Sequence, residues 1–318
     1  MNDRVDIVMA TYNGMPYIRE QLQSILWQDY PEFRLLIHDD GSTDGTVEEI
    51  RKVAKRCPDK VVFIEDGITF KDAKKNFEHL LKMTEADYIF LADQDDVWLP
   101  SKLSVMVKHI KNGEEYCCGD LSPVLAFSDL LPIDKNGFPK SSSMFKMENV
   151  NPRAVCLELL LSRNIIPGCA MGFNRSLLEA SLPFPNEAIM HDWWLALIAA
   201  ATGTIIYVPK ALVMYRQHGG NAIGVRDHTL KSSFFRLTTS PVTMLKRFNL
   251  LGQRAVHQAV ALLKHLEGKE LFDKRAEQTA KRYLEYRRSD SLRRRARYFK
   301  TFARDNVAYE FARFLLWK

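Results

Sequence analysis

Four short apolar runs, Val5–Ala10, Leu35–His38, Val61–Ile64 and Tyr88–Ala92, alternate with stretches of helical periodicity, and that alternation constrains the chain more than any other feature. Runs of this length and composition read as buried strands. Between them, Tyr17–Gln28 places Ile18, Leu22, Ile25 and Leu26 on one face, a second helix is expected to reach about Arg56, and a third to span about Asp72–Met83. The order βαβαβαβ predicts a parallel sheet with helices on both faces. In such a sheet the loops that follow strand ends share one edge, where ligands bind. Thr11–Asn13, Asp39–Asp44 and Asp93–Asp96 are therefore expected to converge on one crevice.

The fourth strand ends in three carboxylates within four residues, Asp93, Asp95 and Asp96. Like charges that close disfavour one another's ionisation unless something positive sits among them. A hard divalent cation is the usual answer, because it takes oxygen ligands and shares them with a phosphate-bearing substrate. A solvated acidic turn is the bland alternative; the buried strand that carries the cluster favours the metal. No GxGxxG follows the first strand and no GxxxxGK[ST] occurs anywhere, which removes the main support for dinucleotide-binding and P-loop folds.

Further along, a helix is expected at Ser101–Ile110, a strand at Val124–Phe127, an irregular excursion over Leu131–Val150, and a short helix at Arg153–Leu161. A small-residue strand at Gly168–Phe173 precedes His191-Asp192-Trp193-Trp194, which opens another helix, and strands at Thr204–Val208 and Leu212–Tyr215 lead to Arg216-Gln217-His218. The five cysteines, Cys57, Cys117, Cys118, Cys156 and Cys169, are odd in number and form no CxxC pair, which fits a reducing cytosol. The N-terminus enters a strand with no signal-peptide core, and no apolar run approaches the roughly 20 residues of a membrane span.

The ordered set Ala10-Thr11-Tyr12-Asn13, Asp39-Asp40-Gly41-Ser42-Thr43-Asp44, Asp93-Gln94-Asp95-Asp96, His191-Asp192 and Tyr215-Arg216-Gln217-His218 resembles the inverting glycosyltransferases of family 2, with the GT-A fold. The Ala-Asp-Gln-Asp-Asp-Val-Trp and His-Asp-Trp-Trp forms are similar to bacterial rhamnosyltransferase-like members that build surface polysaccharides. The resemblance covers roughly residues 3 to 225 and implies a Rossmann-like mixed α/β sheet binding a nucleoside-diphosphate sugar, dTDP- or UDP-linked. It places Thr11, Tyr12 and Asp40 against the base and ribose, with Asn13, Lys75 and Asp93 completing the donor-binding set. Asp93 and Asp95 match the DxD motif and would hold Mn²⁺ or Mg²⁺, with Asp96 in support. Asp192 matches the general base, and His218 falls where some relatives supply a further metal ligand. Where the family often shows Glu-Asp, this chain has His191-Asp192, which leaves the role of His191 open.

Local readings stand beside these. Asp192 also suits a helix N-cap, His218 alone reads as an ordinary loop histidine, and Tyr12 as a capping core aromatic. Trp193 and Trp194 are expected to be half core, one of them offering a wall to the acceptor. Ile89–Val97 also fits the hydrophobic-run-then-DxDxV pattern of haloacid-dehalogenase phosphatases, but on the fourth strand instead of the first and with no later GDxxxD. A nucleotide-sugar-binding protein without catalysis is the non-enzymatic alternative.

The expected division is a catalytic domain over 1–230 and a helical, basic region over 231–318. Leu245, Phe248, Leu251, Ala255, Ala259, Leu262 and Leu266 recur at three and four, an amphipathic helix. Between Lys274 and Arg304 twelve Lys/Arg face three acids, so with a net charge of +6 the rest of the chain is slightly acidic. Two roles fit this region: a lid, bundle or homodimer contact with solvated charges, or docking on an anionic membrane through Phe311, Phe314, Leu315, Leu316 and Trp317. The second suits a cytoplasmic enzyme, peripheral on the inner face of the membrane, with a saccharide or lipid-linked acceptor. Nucleic acid is not an expected partner, since the Arg293–Arg297 cluster lacks interleaved aromatics.

Overall fold

The computed structural model describes residues 3–116, 122–219, 241–269, 272–289 and 301. Eight strands form a single sheet: β1 (Val5–Thr11), β2 (Phe33–Asp39), β3 (Val61–Ile64), β4 (Tyr88–Ala92), β5 (Val97–Trp98), β6 (Val124–Ile133), β7 (Met171–Asn174) and β8 (Thr204–Arg216). Their spatial order is β3-β2-β1-β4-β7-β6-β8-β5. β1 to β4 are parallel, as the alternation predicts, with Thr11 opposite Asp39 and Met9 opposite Ala92, so the three strand ends are level. The chain leaves β1 to one side for β2 and returns to the other for β4, and the crevice between the ends of β1 and β4 is the switch point at which such sheets bind ligands.

The second half departs from a wholly parallel sheet, in the manner the family resemblance implies. β7 runs antiparallel between β4 and β6, with Phe90 opposite Gly172 and Phe127 opposite Met171. Consequently the start of β7, and the residues Gly168–Ala170 before it, lie at the carboxylate-bearing end of β4. The two strands expected at Thr204–Val208 and Leu212–Tyr215 are one, β8, parallel to β6. Pro209 and Lys210 are accommodated where the register slips opposite Ser128–Leu130, a bulge that lets the strand continue past a residue lacking an N–H. β6 likewise runs on to Ile133, shortening the irregular excursion.

Helices α1 (Ile18–Leu26), α2 (Thr46–Arg56), α3 (Ala73–Lys82) and α4 (Lys102–Tyr116) follow β1, β2, β3 and β5. Asp72 caps α3 by accepting from the Lys75 N–H. Short α5 (Met144–Met147), α6 (Leu157–Ser162) and α7 (Arg175–Ser181) precede α8 (His191–Thr202), whose residues are buried almost all round. α9 (Pro241–Leu266) and α10 (Lys274–Arg287) pack on α6 and α8. Ala255, Ala259, Leu262 and Leu266 of α9 and Ala280, Tyr283 and Leu284 of α10 join the main hydrophobic core, so the predicted apolar stripe is turned against the sheet domain. Leu245, Phe248 and the cluster from Arg293 onward, with the terminal aromatics, lie outside the described side chains, as does the 230/231 boundary. Among the described residues no helix is long and apolar enough to cross a membrane.

Gly172 permits the central packing: a Cβ there would stand 2.3 Å from the ring of buried Phe90. Gly172→Ala is expected to destabilise the protein by about 1–3 kcal/mol, the usual cost of overpacking a tight core, read as a lower urea midpoint at unchanged m-value.

Candidate functional site

One cavity of about 980 Å³ opens at the level ends of the parallel strands. Its lining includes Thr11, Tyr12, Asp40, Asp93, Asp95 and Asp192, and so brings together the three expected loops and the start of α8.

The first wall comes from β1 and β2. Thr11 Oγ1 donates to Asp39 Oδ2 at 2.7 Å, and the Asp40 N–H donates to the Thr11 carbonyl at 2.8 Å, stitching the two loops together. Tyr12 is 59% exposed at the rim, a free aromatic face and not a capping core residue. Gln94 fixes it from the opposite loop, accepting from the Tyr12 N–H at 2.8 Å and donating to its carbonyl at 2.9 Å. Buried Asp40 accepts from the backbone N–H groups of Phe70 and Asp72, which holds the loop after β3 against the cavity. That loop contributes Thr69, Lys71 and Asp72 to the lining.

Two expected donor-binding residues stand elsewhere. Asn13, in a left-handed conformation at φ 49°, donates from its N–H to Ser42 Oγ and accepts from the Thr43 N–H, so it braces one loop on the other. Lys75 is exposed on α3 and is not among the lining residues; the lysine on this wall is Lys71. The physical reason is helix phase: Asp72 caps α3, which turns Asn76 and Phe77 inward and Lys75 out.

The second wall carries the acids. Asp93 and Asp95 face the cavity, whereas Asp96 is buried beneath them and accepts from the Arg216 N–H at 3.0 Å. Burial, then the neighbouring Asp95 and Asp192 charges, push Asp93 well above the carboxylate range; burial, then Asp93 and Asp95, do the same to Asp96. Two cations sit among them. Lys102 is wholly buried, 3.2 Å from the centre of the Trp98 ring, and donates to the Cys169 carbonyl at 2.6 Å. Burial pulls its ammonium down to about 7, so its neutralising power is limited. The Arg216 guanidinium donates to the Asp95 carbonyl at 3.0 Å and to Glu20 at 2.5 Å, over the Tyr17 ring. His218 Nε2 lies 2.7 Å from Asp95 Oδ2, so the histidine at the end of the last motif is brought to the acidic loop.

This donor set fits a divalent cation. Asp93 and Asp95 face the cavity and His218 stands on Asp95, where negative charge exceeds the fixed positive charge, and an oxygen-rich set suits Mg²⁺ or Mn²⁺. Asp96 and the Cys169 thiol lie against Asp93 from behind, all three ligand atoms within 4.8 Å of one another; their burial makes them a support for that loop.

The third wall is the start of α8 with the turn before β7. Asp192 is not the N-cap, which is Met190, but stands in the first turn with Oδ1 accepting from the Trp193 N–H at 2.6 Å. Asn164 Nδ2 donates to its Oδ2 at 3.0 Å, and the Gly168 backbone also bonds to it. Burial raises the carboxyl to about 6, against these hydrogen bonds. Gly168 is spaced for this contact, since a Cβ there would meet both Asp192 Cβ and His191 Nε2 at 3.3 Å. His191 is buried, stacks on Phe77 with ring centres 3.9 Å apart, and burial drives its imidazole down to about 3, so it is neutral.

Trp193 and Trp194 do not form an acceptor wall. Both are buried, donating their indole N–H groups to the carbonyls of Leu160 and Ser181. The outer lining is instead Met144, Glu148, Ile165, Ile166, Met190 and Tyr215. Burial lifts Glu148 to about 7. Sequence reasoning passes over Lys102, Asn164 and Glu148. A lysine at the first turn of an apolar helix is the one visible signal, for Lys102.

The chain matches the model of the glycosyl transferase family 2 over residues 6–180. It is 28% identical over 241 residues to the dTDP-rhamnosyl transferase RfbG of Shigella flexneri, spanning 72% of this chain and 78% of that protein. A Mycobacterium tuberculosis relative with no described role is also 28% identical, over 224 residues, and this chain spans 59% of its length. Among solved structures, the mannosyltransferase PcManGT from Pyrobaculum calidifontis, in complex with GDP-Man and Mn²⁺, superposes with a TM-score of 0.54 at 19% identity, covering 98% of this chain and 85% of that one. S. aureus TarS 1–349, in complex with UDP-GlcNAc, gives 0.52 at 18% identity over 94% and 79%. These two share the fold. A family match beginning in β1 and ending in α7, on a cavity that gathers the motif loops, displaces the phosphatase alternative: the chain belongs to glycosyl transferase family 2.

Proposed function

We propose that the protein is an inverting sugar transferase that moves L-rhamnose from dTDP-rhamnose to a saccharide or lipid-linked acceptor in the synthesis of a cell-surface polysaccharide, with Mn²⁺ or Mg²⁺ as cofactor. The observation that carries this reading is the meeting of Thr11, Tyr12, Asp40, Asp93, Asp95 and Asp192 in one cavity. Similarity to the rhamnosyl transferase RfbG supports the choice of sugar.

In this reading the nucleoside lies against the first wall, its base on the open face of Tyr12 and its polar edge toward Asp40. Asp93, Asp95 and His218 would hold the divalent cation, which when bound supplies Lewis-acid stabilisation of the departing diphosphate. Asp192 takes the proton of the incoming acceptor hydroxyl. Its surroundings suit a general base, because the carboxylate is half-buried, fixed by Asn164, and ionised at neutral pH yet close enough to 6 to accept a proton. The apolar outer lining and Glu148 would receive the acceptor.

The test is nucleoside diphosphate release from a panel of nucleotide sugars, with the acceptor supplied as a lipid-linked or free saccharide. Turnover of dTDP-rhamnose alone is expected, and turnover of a UDP- or GDP-sugar in its place would reassign the donor. Asp192→Asn is expected to bind dTDP within about twofold of the parent by calorimetry, while kcat falls by roughly 10²–10⁴, the usual share of a general base; equal losses in binding and turnover would demote Asp192 to a structural role.

Chelation with EDTA, and separately Asp95→Ala, should abolish diphosphate binding, and Mn²⁺ or Mg²⁺ should restore it only to the parent.

The pH dependence has a definite sign. A base whose pKa is raised to about 6 is active above that value and silenced as pH falls through it. Log kcat/KM should therefore drop with unit slope below about pH 6, and a profile flat to pH 5 would contradict the assignment.

A further inference from the structure

On the far side of the first wall, His38, Asp66 and His79 form a cluster that the transfer reaction does not use. His38 lies at the end of β2, Asp66 in the loop after β3, and His79 in the last turn of α3, so three separate elements meet there. His38 Nε2 stands 3.2 Å from Asp66 Oδ1, and His79 Nε2 stands 2.7 Å from Asp66 Oδ2. The two imidazoles meet edge to face with centres 5.0 Å apart, and Phe70 packs on both. One ligand atom from each residue lies within 4.8 Å of the other two. A tetrahedral zinc ion with bonds of about 2.0–2.2 Å sets its ligand atoms roughly 3.3–3.6 Å apart, a spacing within reach of this cluster by small side-chain rotations.

The hydrogen bonds around His38 point the same way. Asn76 Nδ2 faces the His38 carbonyl at 3.4 Å, which turns its Oδ1 toward His38 Nδ1 at 2.8 Å. An amide oxygen only accepts, so Nδ1 carries the proton. In the neutral ring the lone pair of Nε2 then points at a carboxylate oxygen. Asp66 Oδ1 already accepts from the Ile68 N–H at 3.0 Å, consistent with its acceptor role. Two lone pairs face each other across 3.2 Å unless a positive species lies between them. A metal-bound histidine shows this pattern, its second nitrogen donating to a carbonyl oxygen that fixes the ring.

We propose that His38, Asp66 and His79 form a zinc-binding site, with water completing a tetrahedral set, that pins the 65–72 loop to the end of β2 and to α3. The mixed nitrogen and oxygen donors favour zinc over the hard cation suited to the acidic loop. Entry is open, because the Asp66 side chain is 26% exposed and that of His79 18%. The ion would have a structural consequence at the cavity, since the pinned loop supplies Thr69, Lys71 and Asp72 to the lining and its Phe70 and Asp72 N–H groups to Asp40.

The experiment counts zinc on the full chain, stripped with EDTA and retitrated with Zn²⁺ against a chromogenic indicator in excess Mg²⁺. His79→Ala and Asp66→Asn are each expected to bind one equivalent fewer than the parent, and Zn²⁺ to raise the melting temperature of the parent more than that of either variant. Co²⁺ in place of zinc should give the parent a visible absorption band of low-symmetry, imidazole-ligated cobalt that both variants lose. His79→Gln, with circular dichroism as a check on folding, provides a milder form of the first variant. Equal zinc counts and equal cobalt spectra in parent and variants would mean that a proton, not a metal, bridges the cluster, and would overturn the proposal. Because the acidic loop is intact in every protein tested, failure of the transferase reading leaves these counts unaffected.

Discussion

The structure depends on how a buried strand can end in three carboxylates. β4 carries no polar side chain except the Tyr88 hydroxyl at its start, yet it delivers Asp93, Asp95 and Asp96 into a low-dielectric site. Uncompensated, each buried charge would cost several kcal/mol. Compensation comes from two later elements: Lys102 from the first turn of α4, and Arg216 from the last residue of β8. Arg216 reaches the Asp95 carbonyl across 121 positions. Neither cation can lie far from its place without exposing that cost, so the acids act as a constraint on topology. Such pairs contribute little net stability beyond apolar packing, but losing one partner is expensive. What they secure is position, and that is what the cavity needs.

Antiparallel β7 follows from the same requirement. A parallel strand beside β4 would bring a strand terminus, and its outgoing loop, to the acidic edge. Running the other way, β7 presents its incoming turn, where the Gly168 backbone bonds to Asp192 and the Cys169 thiol to Asp93. The Cys169 carbonyl receives Lys102, and Gly168 leaves room for the start of α8. A mixed sheet thus lets two backbone segments of opposite direction meet over one charge cluster. The helices α9 and α10 complete the outer cover of α6 and α8, and in doing so bury Gln258 with its Oε1 accepting from the Ile189 N–H at 2.7 Å, just before the α8 turn.

Much of this is legible in the chain itself. The first four strands and their helices are local in origin, written in periodicities of two and 3.6, and the motif loops inherit their convergence from that order. What escapes is non-local. Lys102 is an ordinary first-turn lysine until Trp98 and Cys169 close over it. Asn164 matters only because the chain returns past it at Asp192. β8 reads as two strands because Pro209 interrupts the apolar pattern, whereas its partner β6 yields by a slip of register. Chemistry alone expects Trp193 and Trp194 to be half core with one of them offering a wall, while the all-round burial of α8 leaves neither an exposed face. Lys75 stands off the lining because the phase of α3 is set by its Asp72 cap, a detail that periodicity blurs.

The residue before Asp192 illustrates how a departure from the family pattern can be absorbed. A glutamate in place of His191 would set a second negative charge beside Asp192 and within the field of Asp93. The imidazole avoids that: stacked on Phe77 and cut off from water, it stays neutral across the physiological range. The tuning of Asp192 is then left to two opposed effects. Burial raises its carboxyl, while the Trp193 and Gly168 N–H groups and the Asn164 amide stabilise the anion, as does its place in the first turn of α8, where the helix dipole favours negative charge. Burial prevails and raises the group to about 6, just below neutrality. For the base proposed here, a stronger set of donors would leave a carboxylate too weak to take a proton, and a weaker set would leave it already protonated at neutral pH.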